Sequence, residues 1–299
     1  MIDGVINIYK ERGYTSSDVV AKLRGILRQK KIGHTGTLDP AAEGVLPVCL
    51  GKATKLCGLL TEKTKEYRCT CRLGVTTDTE DTEGEILSRM PAGCDETQIR
   101  EAAFSFIGDY QQIPPMYSAI KQNGKRLYML AREGVTVERP PRAVRINELE
   151  IVRVELSGEE KRFSFRVVCS RGTYIRSLCR DIGEKLGCGA AMEKLERTRS
   201  GIFTVDKALR LDEVQKLSLE NALNVHILPI EFFYKDLGKL TVLPEALKLL
   251  DNGNALKTGS FAENDISGER FRIYDTSGRF RAVYARFDDT GLFKPEQMF

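Results

Sequence analysis

Residues 33–46 read GHTGTLDPAAEGVL. His34, one of only two histidines in 299 residues, stands between Gly33 and Gly36, and five positions on Asp39 directly precedes Pro40. A glycine-rich stretch after a basic segment suggests a phosphate cradle, yet the string fits neither GxGxxG nor GxxxxGK[ST]. An Asp-Pro pair is in general an ordinary turn or helix-start signal. General rules therefore leave both a plain loop and a chemical site open at Asp39.

Upstream, SSDVVAKLRGILRQKK (16–31) reads as a helix capped by Ser16 or Ser17 and ended by Gly33, with Val19, Val20, Leu23, Ile26 and Leu27 on one face. Downstream, EYRCTCRLGV (66–75) alternates as a strand, and DETQIREAAFSFIG (95–108) reads as a helix capped by Asp95. The stretch from Pro114–Pro115 to Pro140–Pro141 breaks this pattern, which marks an insertion at about 112–142 with a short basic helix in its middle. Two strands follow, the second passing into a helix near Tyr174 to Leu186. Beyond about residue 235 the character changes to a strand, a short helix with Pro244 in its first turn, and a hairpin around Ser277-Gly278. Such alternation predicts an α+β chain of two domains, 1–235 and 240–299.

Net charge is only +4, but its distribution is uneven. Residues 21–38 hold five lysines or arginines and no acid, and residues 161–180 hold six and no acid. Residues 121–145 hold seven against Glu133 and Glu138. Three basic segments on a nearly neutral chain fit a nucleic-acid surface, with chance clustering of solvated faces as the alternative. The acidic run Asp78 to Glu85 is expected to be an outward, solvated turn. Eight cysteines without a CxxC pair argue for buried free thiols and against a zinc site. No apolar run approaches the roughly 20 residues of a membrane helix, and no secretory signal is visible, so a cytoplasmic address is expected.

The complete string 33–46 is more specific than its parts. It resembles the catalytic motif of the TruB family of pseudouridine synthases, Gly-His-x-Gly-Thr-Leu-Asp-Pro-x-Ala-x-Gly-Val-Leu, at every fixed position. GVINIYKERGYTSSDVV (4–20) is similar to the family's first motif, retaining Lys10, Gly13, Thr15 and Ser16. KEYRCTCRLGVTTDTEDTEG (65–84), SRGTYIRSLCRDIG (170–183) and LERTRSGIF (195–203) resemble the later motifs in the right order. One departure is Glu11, where the family has proline after the lysine.

The resemblance implies a pseudouridine synthase fold with a mixed, mostly antiparallel central sheet, an inserted RNA-gripping lobe and a C-terminal PUA-like β module. It implies a stand-alone, monomeric enzyme that isomerises the uridine at position 55 in the T loop of tRNA, without cofactor, metal or protein partner. Asp39 is implied as the catalytic carboxylate, Arg176 as its ion-pair partner and Tyr67 as the ring that stacks on the extruded base. His34 would fill the space the base vacates, Tyr174 and Leu195 would line its pocket, and Lys10 would belong to the substrate-binding set. The residues alone leave Arg176 open as a phosphate contact, and Tyr67 and Leu195 as ordinary core. A guide-dependent relative and a non-catalytic RNA-binding protein are the alternatives.

Overall fold

The computed structural model describes residues 1–263, 265–287 and 291–299. Strand β1 (Gly4–Lys10) and helix α1 (Ser16–Ile26) lead to β2 (Ile32–His34), β3 (Glu43–Leu50), a short α2 (Cys57–Thr61) and β4 (Lys65–Leu73). A hairpin of β5 (Val75–Thr77) and β6 (Ile86–Arg89) precedes α3 (Glu96–Phe104) and β7 (Gly108–Gln112). The segment after β7 carries β8 (Lys121–Gln122), β9 (Lys125–Arg126) and α4 (Leu127–Arg132), and the chain rejoins the sheet as β10 (Arg142–Glu155). Then come β11 (Arg162–Cys169), α5 (Ile175–Lys185), β12 (Ala190–Ser200), β13 (Phe203–Thr204), α6 (Leu211–Leu219) and β14 (Ile227–Leu228).

These strands form one ten-stranded sheet in the order β14-β1-β3-β12-β4-β11-β10-β7, with β2 paired to β3 and β13 to β12. All its pairings are antiparallel except the short β3–β12 contact, where Glu43 and Gly44 meet Glu196 and Arg197. The sheet is thus mixed and mostly antiparallel, as expected. A second, five-stranded sheet is built from β15 (Gly238–Thr241), β16 (Leu256–Lys257), β17 (Arg270–Tyr274), β18 (Phe280–Arg286) and β19 (Leu292–Met298), with α7 (Leu247–Asp251) between β15 and β16.

Helix α1 is shorter than its periodicity suggested. Thr15, not Ser16 or Ser17, is the N-cap, in a capping box with Asp18, and the helix ends at Ile26 with Leu27 as C-cap. Gly33 does not end it but lies in β2, because Ile32 to His34 pair with Val48 to Leu50. Val19, Val20 and Leu23 of α1 pack with Leu211 and Val214 of α6 on one half of the sheet. Ile175, Leu178, Cys179 and Ile182 of α5 pack with Ile99 and Ala103 of α3 on the other. The second sheet is joined to the first through a shared apolar layer in which Val5, Val45 and Cys49 meet Val283, Phe280 and Phe299. Tyr234 donates to Gln297 at 2.9 Å across that joint.

Gly44 makes the parallel β3–β12 contact possible. Its φ is +104°, and a Cβ there would stand 2.3 Å from the Arg197 carbonyl oxygen. A side chain would therefore push β3 from β12 and strain the backbone at once. Gly44→Ala should destabilise the chain by at least about 2 kcal/mol, read as a lower urea midpoint; an unchanged midpoint would disprove this close approach.

Candidate active site

The loop between β2 and β3 carries Asp39 and is tied down along its length. Leu38 donates its N–H to the Ser16 hydroxyl at 2.9 Å, at the start of α1, and the Leu38 side chain enters the core. Ala42 N–H closes a turn onto the Asp39 carbonyl at 3.1 Å. The Pro40 carbonyl accepts from Gly13 N–H at 2.8 Å and from the Lys10 ammonium at 3.3 Å. From below, the buried Arg197 donates to the carbonyls of Val45 (2.7 Å), Gly36 (3.2 Å) and Thr37 (3.5 Å). The Asp39 side chain remains reachable, at 37% exposure.

Arg176, 5% exposed, places its Nε 3.0 Å from the Asp39 carboxylate. Its two terminal nitrogens donate to the carbonyls of Thr79 and Tyr117, each at 2.8 Å. All three guanidinium nitrogens are therefore engaged, by three separate segments. Asp81 offers a second carboxylate 3.7 Å away. A buried arginine without such partners would cost several kcal/mol, so the pairing fixes both its charge and its direction.

The acidic run Asp78 to Glu85 is only in part the outward turn the sequence suggests: Glu83 and Glu85 are exposed. Glu80 and Asp81 are buried, and the run is held to β12 by Thr82 N–H to Met192 O (2.9 Å) and Met192 N–H to Glu80 O (3.0 Å). Glu80 accepts from Ser177 at 2.5 Å and from Arg180, while Asp81 accepts from Thr79 at 2.6 Å. Burial pushes both carboxyls upward, opposed at Glu80 by Arg180 and at Asp81 by the Thr79 hydroxyl and Arg176. Glu80 and Asp81 turn inward because α5 brings cations that need partners.

Tyr67 on β4 pairs across the sheet with Arg197, and Leu195 pairs with Cys69 on the same strand pair. Both side chains are buried in the cluster that also holds Leu38 and Ala42, the residues flanking Asp39. Burial raises the Tyr67 hydroxyl, and the facing Arg197 opposes that rise. Tyr174 is the half-buried N-cap of α5, and its hydroxyl feels Ser118 of the inserted segment as well as Asp39. His34 ends β2, half-buried, with Nδ1 accepting from Gly36 N–H at 3.4 Å. Burial and then Arg197 hold it below its ordinary value, so the ring is neutral at neutral pH.

Asp39 and Arg176 thus meet directly, Tyr67 and Leu195 share a core cluster with Leu38, Tyr174 precedes Arg176 by two residues, and His34 lies on the Arg197 side of the loop. Lys10 is placed differently from the expected substrate-binding position. It is fully buried, donating to the carbonyls of Tyr14 (2.5 Å), Glu11 (3.1 Å) and Pro40. It offers no surface to a ligand and secures the loop from beneath. Arg197 was quoted within its motif without a role, since nothing in the string distinguishes a buried loop anchor from a surface cation.

Comparison with known proteins identifies the family. The TruB family pseudouridylate synthase N-terminal domain matches residues 24–175, and the tRNA pseudouridylate synthase B C-terminal domain matches residues 176–234. A tRNA pseudouridine synthase B of Lachnoclostridium phytofermentans is 47% identical over the whole of both chains. The chain belongs to the TruB family. A second relative of the same name, from Bacillus subtilis, is 41% identical over 100% of this chain and 98% of its own. Among solved structures, an H/ACA RNP bound to a substrate RNA containing 2'-deoxyuridine includes a chain 26% identical, with TM-score 0.68, covering 99% of this chain and 84% of that one. A Cbf5-Nop10-Gar1 complex includes one 28% identical, with the same TM-score and the same coverage. The TruB family chain is accordingly a pseudouridine synthase, an isomerase.

Lys10 supplies a test of the loop's foundation. Burial, outweighing the attraction of Asp39, holds its ammonium down at about 8 from an ordinary 10.5. The unfolded chain binds more protons between those values, so the cost of the buried charge, full below about pH 8, is relieved as pH rises toward 10.5. In urea unfolding from pH 7 to 10, wild type should gain stability relative to Lys10→Met as pH rises. Parallel curves would mean that Lys10 titrates normally.

Proposed function

We propose that this TruB family chain isomerises the uridine at position 55, in the T loop of tRNA, to pseudouridine, with Asp39 as the catalytic carboxylate. The observation that carries the reading is the Asp39 carboxylate held 3.0 Å from the buried Arg176, on a loop whose Leu38 packs in one core cluster with Tyr67 and Leu195.

The reaction breaks the N1–C1′ bond and forms C5–C1′; C5 loses a proton and N1 gains one. Atoms and electrons balance without an oxidant, reductant or energy source. Asp39 acts on the sugar or the base, as nucleophile or as the base that removes a sugar proton. Arg176 holds the carboxylate's direction in each case and offsets its charge in a partly desolvated place. To reach it the uridine must leave its stack, at a cost of a few kcal/mol. Stacking on the Tyr67 ring and the apolar wall of Leu195 offsets part of that cost. The neutral His34 ring fills the gap left in the loop, and Tyr174 closes the pocket's other side.

The exposed basic residues of 21–38 and 121–145 contact phosphates, which makes binding steeply salt-dependent, whereas Arg176 and Arg180 of 161–180 are committed to carboxylates. The segment between β7 and β10 is the RNA-gripping lobe of the catalytic domain 1–235, and the five-stranded sheet of 240–299 is a PUA-like RNA-binding module. The enzyme works in the cytoplasm as a single chain, without a guide RNA, metal or cofactor. Among the described residues no helix is long and apolar enough to cross a membrane.

The purified chain, incubated with a T-arm stem-loop, should yield pseudouridine at the single position equivalent to 55. Asp39→Asn should lose about a thousandfold or more in rate while RNA affinity stays within a few-fold. Modification elsewhere, or retained rate in Asp39→Asn, would overturn the assignment.

A further inference from the structure

The buried carboxamide of Gln112 ends β7, at the root of the inserted lobe. It is 1% exposed, and each of its polar atoms has a partner. Its Oε1 accepts from Tyr174 N–H at 2.8 Å, while Nε2 donates to the Tyr174 carbonyl at 2.9 Å and to the Tyr110 hydroxyl at 3.1 Å. The Tyr110 hydroxyl donates in turn to Asp181 on α5. Reversing the amide would break all three bonds, so the group has one orientation. Tyr174 is the N-cap of α5 and has no side-chain cap bond of its own. Arg176 follows two residues later.

Gln112 is also the last residue before the lobe leaves the sheet, registered against Arg142, where the lobe returns. Helix α5 grips the same root twice more, through Arg180 to the Ile113 carbonyl (3.2 Å) and Arg176 to the Tyr117 carbonyl (2.8 Å). A glutamine on a sheet edge is thereby wired to the backbone that aims the arginine of the site.

We propose that Gln112 is a positioning residue for pseudouridine formation: its carboxamide fixes Tyr174 and the first turn of α5, and so the line from Arg176 to Asp39, while anchoring the inserted lobe to that helix. The inference rests on the function proposed above. Gln112 touches neither the base nor Asp39, so its loss slows the reacting step and leaves RNA binding in place.

Gln112→Glu converts the role into a pH signature. Ionised, the carboxylate can accept from Tyr174 N–H but faces the Tyr174 carbonyl with no hydrogen to donate. Protonated, it regains one donor. Burial and the Asp181 and Asp39 carboxylates raise the new carboxyl, while Arg142, Arg176 and Arg180 lower it; the Tyr110 hydroxyl also faces it.

Single-turnover conversion of a T-arm stem-loop by the full chain, followed by tritium release from C5-labelled uridine, reads the effect, with RNA affinity measured alongside. Gln112→Glu should lose about 10- to 100-fold in rate at pH 8 and recover at least threefold more than wild type at pH 6. Gln112→Leu should lose as much at both pH values, and affinity should change less than threefold in each. Wild-type rates in either variant, equal pH-independent losses in both, or losses confined to affinity would overturn the proposal. If neither variant folds, Tyr110→Phe decides, since it removes only the third partner. A rate loss of threefold or more at unchanged affinity supports the positioning role, and a wild-type rate ends it. A wild-type chain that makes no pseudouridine would instead sink the underlying function and leave the clamp unblamed.

Discussion

One buried guanidinium organises this molecule. Arg176 sits almost out of solvent, and each of its nitrogens is committed to a different segment: the Asp39 loop, the acidic run at Thr79, and the inserted lobe at Tyr117. A cation there is tolerable only when all three segments are in place, and each segment gains a fixed partner in exchange. The aim of the carboxylate is therefore a property of the assembled tertiary structure rather than of its own loop.

Around that centre lies an unusual stock of buried positive charge. Lys10 and Arg197 both donate to carbonyls of the Asp39 loop, and among the described residues neither has a carboxylate within ion-pair distance. Backbone carbonyls satisfy their hydrogens without neutralising them. The loop is thus held from beneath by two cations whose hydrogens go to the backbone. This also explains why the neutral form of His34 is preferred beside Arg197.

Much of this was legible before any coordinates. Strand and helix periodicities placed most elements, and the string at 33–46 located the carboxylate, because its identity lies in consecutive residues. What escaped was whatever depends on distant segments meeting. Thr15 rather than Ser16 caps α1, a choice decided by Asp18 three residues on. Gly33 belongs to a strand only because β3 pairs with it. The acidic run looked solvated since local composition carries no record of burial. The absence of any acid among residues 161–180 was the available hint that carboxylates must arrive from elsewhere. Lys10 was implied as substrate-binding by the resemblance, and its place escaped because the three carbonyls around it come from a turn and from the loop opposite.

The apolar seam between the two sheets has a mechanical corollary. Strand β3, which the Asp39 loop feeds, presents Val45 and Cys49 to that seam, and Val283, Phe280 and Phe299 cover them. The carboxy-terminal unit is for this reason no detachable appendage. Trimming it away would wet the reverse side of the strand that the Asp39 loop feeds, so damage at the far end of the chain would be felt at that carboxylate.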